Sequence, residues 1–195
     1  MSKGAETRQA ILHHGVEAAA RVGLSGLTIG ELATATGLSK SGLFAHVKSK
    51  EALQLQVLAQ AREQFIDDVI RPALTVQRGE PRVRVLFDRW LIVLRDNMPG
   101  GCLFIKSAVE YDERPGPVRE QLVRDHTDLR ESVAQVFRTG IGEGHFRDDA
   151  DPAQFASDVQ GVMFSYYHAH RLLNDPQAEA QARRAFEALI AAARR

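Results

Sequence analysis

Between residues 39 and 50 the chain sets out Ser39, Lys40, Ser41, Gly42, Phe44, Ala45, His46, Lys48 and Lys50. Hydroxyls, ammonium groups, an imidazole and a position without a side chain crowd into little more than three helical turns. These groups, on their own, break no covalent bond. They do donate hydrogen bonds and positive charge to anionic oxygens, and a lysine or serine at the start of a helix also reaches the edges of bases. Other reactive side chains are more scattered. Cys102 is the lone thiol, His168 and His170 are two apart, and Glu110, Asp112 and Glu113 group three carboxylates. Two histidines at that spacing point to different sides of a helix and do not share an ion. The chain has no phosphate-cradling glycine loop and no nucleophile elbow. The expectation is a protein that is not an enzyme and carries neither metal nor cofactor.

The elements that must position the cationic stretch can be read from their caps. Thr28-Ile-Gly-Glu31 is a capping box, so a helix begins at Thr28 and carries Ile29, Leu32 and Ala33 inward. Gly37 ends it, since glycine takes the left-handed conformation of a C-terminal cap without penalty. Ser39 then caps a second helix, with Leu38 placed to pack on Leu43 as a hydrophobic staple. Leu43 and Val47 lie one turn apart and face inward, leaving Lys40, Ser41, Gly42, Phe44 and Ala45 at the exposed N-terminal end. Two short helices joined by a tight glycine turn make a helix-turn-helix, whose second helix presents its N-terminus to a groove or a phosphate.

Over all 195 residues, 25 Lys and Arg balance 25 Asp and Glu. In residues 1 to 50, Lys3, Arg8, Arg21, Lys40, Lys48 and Lys50 oppose only Glu6, Glu17 and Glu31, a net +3 that leaves −3 for the remainder. The sign difference fits a polyanionic partner for the first segment alone. One cysteine excludes an internal disulfide. No signal peptide and no run of about 18 apolar residues is present, so a soluble, cytoplasmic protein without membrane contact is expected.

Residues of about 5 to 55 resemble the DNA-binding domain of the tetracycline-repressor (TetR) family of transcriptional regulators. The resemblance is carried by Thr7-Arg-Gln-Ala-Ile-Leu through Ala20-Arg-Val-Gly23, by Leu27-Thr-Ile-Gly-Glu-Leu-Ala33, and by Gly37-Leu-Ser-Lys-Ser-Gly-Leu-Phe-Ala-His-Val-Lys-Ser-Lys-Glu-Ala-Leu53. It implies phosphate contacts from Thr28, His46 and Lys50, and base contacts from Lys40, Ser41, Gly42 and Ala45. Ser39, Phe44 and Lys48 complete the expected DNA-binding set. Phe44 and Ala45 stand where the family commonly has Tyr and a larger or polar residue, and Val47 where it usually has Phe.

Helical punctuation continues beyond the motif. Leu53, Val57, Ala61, Phe65, Val69 and Leu74 run through one long helix until Gly79-Glu80-Pro81. Breaks at Pro99-Gly-Gly101, Arg114-Pro-Gly-Pro117 and Gly140 to Gly144, and Asp-Pro starts at Asp151 and Asp175, divide the rest. No stretch alternates as a strand does. The expected fold is all-α with about nine helices: a three-helix helix-turn-helix domain over 1–50 and a helical ligand-binding and dimerisation domain over 51–195.

In the last two helices Phe155, Val159, Val162 and Tyr166, with Phe186, Leu189 and Ile190, form apolar stripes read as a homodimer interface. A dimer also suits the resemblance, because two recognition helices related by a two-fold axis read a palindrome. The family further implies a pocket for a small, largely apolar effector among helices of about 81 to 174. Phe87, Trp90, Met98, Phe104, Met163 and Tyr167 are its expected apolar walls, and His126 a group to orient the ligand. Gly101-Cys-Leu-Phe and Glu110 to Arg119 are similar to the C-terminal part of one subgroup. The resemblance thus implies a repressor released from a double-stranded operator by an effector, the alternative being an activator or a ligand-independent regulator of the same fold.

Overall fold

A computed structural model of the protein describes residues 3–96 and 100–195. Met98, one of the expected effector contacts, lies outside the described residues. Among the described residues nine helices follow in order: α1 (Lys3–Val22), α2 (Ile29–Thr36), α3 (Lys40–Val47), α4 (50–75), α5 (Glu80–Arg95), α6 (Leu103–Tyr111), α7 (Pro117–Gly142), α8 (Pro152–Arg171) and α9 (Ala178–Ala193). Among the described residues there is no strand; a single bridge pairs Phe146 with Arg194.

Local chemistry explains the helix boundaries. Asp151 Oδ1 accepts from the backbone N–H groups of Ala153 and Gln154 at the head of α8, where Pro152 has no N–H that needs an acceptor. α4 is less regular. It runs as Lys50–Phe65, makes a π turn over Ile66–Ile70, and resumes as Arg71–Thr75. The buried residues Leu53, Val57, Ala61, Phe65, Val69 and Ala73 are spaced four apart throughout. On a helix of 3.6 residues per turn each such step drifts by about 40°, so six residues would wind off one face. The extra residue of a π turn returns the stripe toward it. For the same reason Ala73, not the expected Leu74, is the buried residue, and Leu74 is half exposed.

Two compact units divide the chain, one made of the described residues of Met1–Gln64 and Met98–Asp125, the other of those of Phe65–Asn97 and His126–Arg195. The first has a core of Ile11, Leu24, Leu27, Leu32, Leu43, Val47, Leu53, Val57, Leu58, Leu103 and Leu122, in which α1, α2 and α3 close on the start of α4. The second is built on rings. Phe137 stacks on Phe155 at 4.0 Å and on Phe146 at 4.4 Å, and Phe87 stacks on Phe186 at 3.9 Å. A row of ion pairs joins α5 to α9: Arg84 with Glu187, Arg183 with Asp88, and Arg95 with Glu179.

Candidate nucleic-acid interface

The caps that the sequence announces are formed. Thr28 Oγ1 accepts the Glu31 N–H at 3.1 Å and Ser39 Oγ accepts the Gly42 N–H at 3.1 Å. In the first box the Thr28 hydroxyl also donates to Glu31 Oε2 at 2.8 Å. Gly37 sits at φ +67° between the helices, with the Leu38 N–H closing back on Ala33 O. Leu43 and Val47 are buried in the unit's core, and this fixes the rotation of α3 about its axis. Lys40, Ser41, Phe44 and Ala45 are consequently exposed together, and Gly42 and His46 are half-buried. A side-chain carbon added at Gly42 would touch only Ser39 Oγ, so that face of the helix is open for close approach.

Three expected contacts have neighbours that qualify their role. The Lys40 stem lies beside Gly30 of α2, its Cε 3.4 Å from where a Cβ there would stand. Ser39 Oγ is engaged as the cap and lies 3.2 Å from Ser41 Oγ. Lys50 Nζ donates to Ser25 O at 2.6 Å, tying the head of α4 to the turn after α1. Lys48, exposed, ends α3 in an unusual conformation. At φ +66°, ψ −45°, with the Ser49 N–H donating to Val47 O at 2.8 Å, it is the centre of a γ-turn of the strained, positive-φ kind.

The expected interface and pocket residues fall in different places. Phe155, Val159, Phe186 and Ile190 are buried in the core of their own unit, since the ring stacks claim both phenylalanines. Val162 and Leu189 instead line an open groove of about 640 Å³ between α8 and α9, with the buried Tyr166 beneath it and Gly161, Ser165, Ala169 and Ala185 along it, small residues that a stripe of large apolar side chains does not mark. Of the expected effector contacts, Phe87, Trp90 and Met163 are buried in the second unit, Trp90 meeting Phe65 edge to face at 5.8 Å. His126 and Tyr167 are half-buried there, and His126 lies edge to face with Phe164 at 6.4 Å. Phe104 packs against the core of the first unit.

The buried charge on α7 is Asp125, one residue before His126. Its Oδ1 accepts from Arg62 Nη1 at 3.0 Å and from Gln121 Nε2 at 2.9 Å. Asp125, not the expected His126, continues the spacing of Val118, Leu122, Leu129 and Val133, and a carboxylate at a core position is the signal by which the sequence could have shown it. Cys102 is buried, and that burial pushes its thiol above the ordinary range, with the backbone N–H groups of Ile105 and Phe104 opposing it only in part. Among the described residues no group of His, Cys, Asp or Glu is arranged to hold a metal ion, and no helix is long and apolar enough to cross a membrane.

A capped helix-turn-helix with a cationic, exposed second helix, leading into helices alone, defines a DNA-binding transcriptional regulator of the all-helical class. The family described as "Bacterial regulatory proteins, tetR family" matches residues 11–57, and "Tetracyclin repressor-like, C-terminal domain" matches residues 79–186. The chain belongs to the TetR family. No curated protein matches it. Among solved structures it is similar to a TetR-family regulator from Cytophaga hutchinsonii, at 20% identity and TM-score 0.86 over 100% of this chain and 98% of that one. A TetR regulator from Chloroflexus aurantiacus is 25% identical, with TM-score 0.84 over 98% and 96%. AibR in complex with isovaleryl coenzyme A and operator DNA is 18% identical, with TM-score 0.69 over 90% and 96%.

Proposed function

We propose that the chain is a homodimeric, ligand-responsive transcriptional repressor acting in the cytoplasm. The observation that carries this reading is the sorting of α3, whose apolar pair Leu43 and Val47 is buried while Lys40, Ser41, Phe44 and Ala45 share the exposed face. Ser41 and Lys40 would meet base edges, Ala45 and Phe44 a thymine methyl, and Thr28, His46 and Lys48 the phosphates that set the register. Lys50 would add charge there once its bond to Ser25 opens. The groove formed by Val162, Tyr166 and Leu189 would receive the same groove of a second copy, with Gly161 and Ala185 allowing helices to approach closely.

An effector bound among the helices that follow α4 would favour a path of α4 in which two copies of α3 no longer match successive major grooves. Release follows only if the effector prefers that state over the operator-bound one. The ligand and DNA held by AibR support both halves of this reading. The test is transcription from a selected operator with purified protein: repression that a bound effector lifts is expected, and activation or indifference would sink the proposal.

A further inference from the structure

The exposed positions of α3 and its cap are Lys40, Ser41, Phe44, Ala45 and Lys48, while Leu43 and Val47 face inward. Positions three and four apart share one face of a helix, so Ser41, Phe44, Ala45 and Lys48 form a continuous strip. Its ends are polar and its middle is apolar. Phe44 is 53% exposed, and among the described residues from 23 to 73 it is the one large apolar side chain that stands exposed. The Lys40 ammonium lies beside Gly30 of α2, its Nζ 3.7 Å from where a Cβ there would stand, so the rim toward α2 is cationic. Lys48, one turn beyond Phe44, makes the other end cationic as well. Two side chains make a patch far smaller than the roughly 1,000 Å² that a stable protein interface buries. The cations around it suit anionic oxygens on either side of a groove.

We infer that Phe44 and Ala45 form a binding site for the C5-methyl group of a pyrimidine in the major groove, carried by thymine or by 5-methylcytosine. The base edges there otherwise present donors and acceptors, and the C5-methyl is the apolar group among them. An aromatic ring pressed on a bare donor or acceptor strips it of water and gives it no partner, which costs affinity. A methyl group packed between the Phe44 ring and the Ala45 methyl removes only apolar surface from water. A Cβ added at Gly42 would meet only Ser39 Oγ, and this open side, with the short side chains of Ser41 and Ala45, lets the helix come near enough for that contact. The inference rests on the proposed docking of α3 in a major groove. It goes further in making affinity depend on a methyl group that cytosine methylation adds or leaves out.

The test starts from the duplex that the full wild-type chain selects from a random-sequence pool, synthesised with uracil in place of each thymine in turn, since uracil lacks only the methyl group. At one or two positions per half-site the uracil duplex is expected to bind about fourfold more weakly, the loss of one buried methyl group. With a cytosine–guanine pair at the same position, 5-methylcytosine should bind more tightly than cytosine by a similar factor. Phe44→Ala should bring the members of each pair together, whereas Phe44→Leu, which keeps a large apolar side chain, should hold them apart. Equal binding with and without the methyl group at every position, a selected half-site without thymine, or a preference that Phe44→Ala leaves whole overturns the inference. Each of these leaves the DNA-binding reading standing, because a site is still selected. A pool that yields no site sinks both.

Discussion

The Glu110 carboxylate accepts the backbone N–H of Ser25 at 2.9 Å, across 85 positions of sequence. Around it, Lys106 Nζ donates to Ala20 O at 2.7 Å, and Gln54 Nε2 donates to Leu24 O and to Tyr111 Oη, both at 2.9 Å. With Lys50 on Ser25 O, the turn that delivers the chain from α1 to α2 is held by side chains of α6 and α4. The helix-turn-helix therefore takes its orientation partly from residues far outside its own motif.

Glu110→Ala removes the acceptor and leaves the half-buried Ser25 N–H unpaired. A loss of about 1–3 kcal/mol is expected, read as a lower midpoint in urea with unchanged slope. An unchanged midpoint would show that water replaces the carboxylate at no loss.

Gly23 is the more sensitive partner in this turn. It sits at φ +85°, and a Cβ there would stand 1.8 Å from Glu110 Oε1. Gly23→Ala combines backbone strain with displacement of Glu110, so it should destabilise by more than Glu110→Ala alone. In the double variant the clash is gone and the backbone strain, about 1–2 kcal/mol, adds only to the loss of the Ser25 hydrogen bond, so the total should fall short of the sum of the two single effects. Thermal denaturation of the three variants measures this directly.

Lys48 holds a positive φ that glycine adopts without penalty. Lys48→Gly should therefore keep or raise stability, by up to about 1 kcal/mol. The same change removes a cation at the C-terminal end of α3, where the proposed docking has it meet phosphate, so affinity should fall alike for all sequences and the salt dependence should flatten. A gel-shift titration at two salt concentrations, beside a melting curve, checks both halves.

Acid should loosen the second unit. Glu80 is held down to about 2, first by its hydrogen bond from Arg194 and also by Arg84, against the opposing effect of burial. A carboxyl depressed in the folded state stabilises fully above its unfolded value of 4.5, and that contribution is lost as pH falls from there toward about 2. Glu80→Gln lacks it at every pH. Its melting temperature should lie below that of the wild type at pH 7, and the gap should close on acidification through this window.

The sequence announces what neighbours in the chain decide. Thr28, Gly37 and Ser39 act within three or four residues, and each cap stands where the residue types place it. The TetR-like motif places α3 for the same reason. The residues that remained hidden depend on contacts between distant segments. Nothing adjacent to Phe155 or Phe186 tells that Phe137 and Phe87 will claim them, so their outward role could not be separated from core packing. Arg62 and Asp125 are 63 positions apart, and nothing beside either of them in the chain joins the two. The π turn in α4 was not read from the sequence: the expected stripe, spaced by four from Leu53 to Val69, passed on to Leu74, whereas the structure buries Ala73.

Selection of bound duplexes from a random-sequence DNA pool by the purified wild-type chain, with Lys40→Ala run in parallel, tests the central claim most directly. The account predicts enrichment of a two-fold symmetric site whose half-sites lie about 34–36 Å apart centre to centre, with Lys40→Ala relaxing the base preference within each half-site. Enrichment of no sequence, or of one without two-fold symmetry, would contradict it.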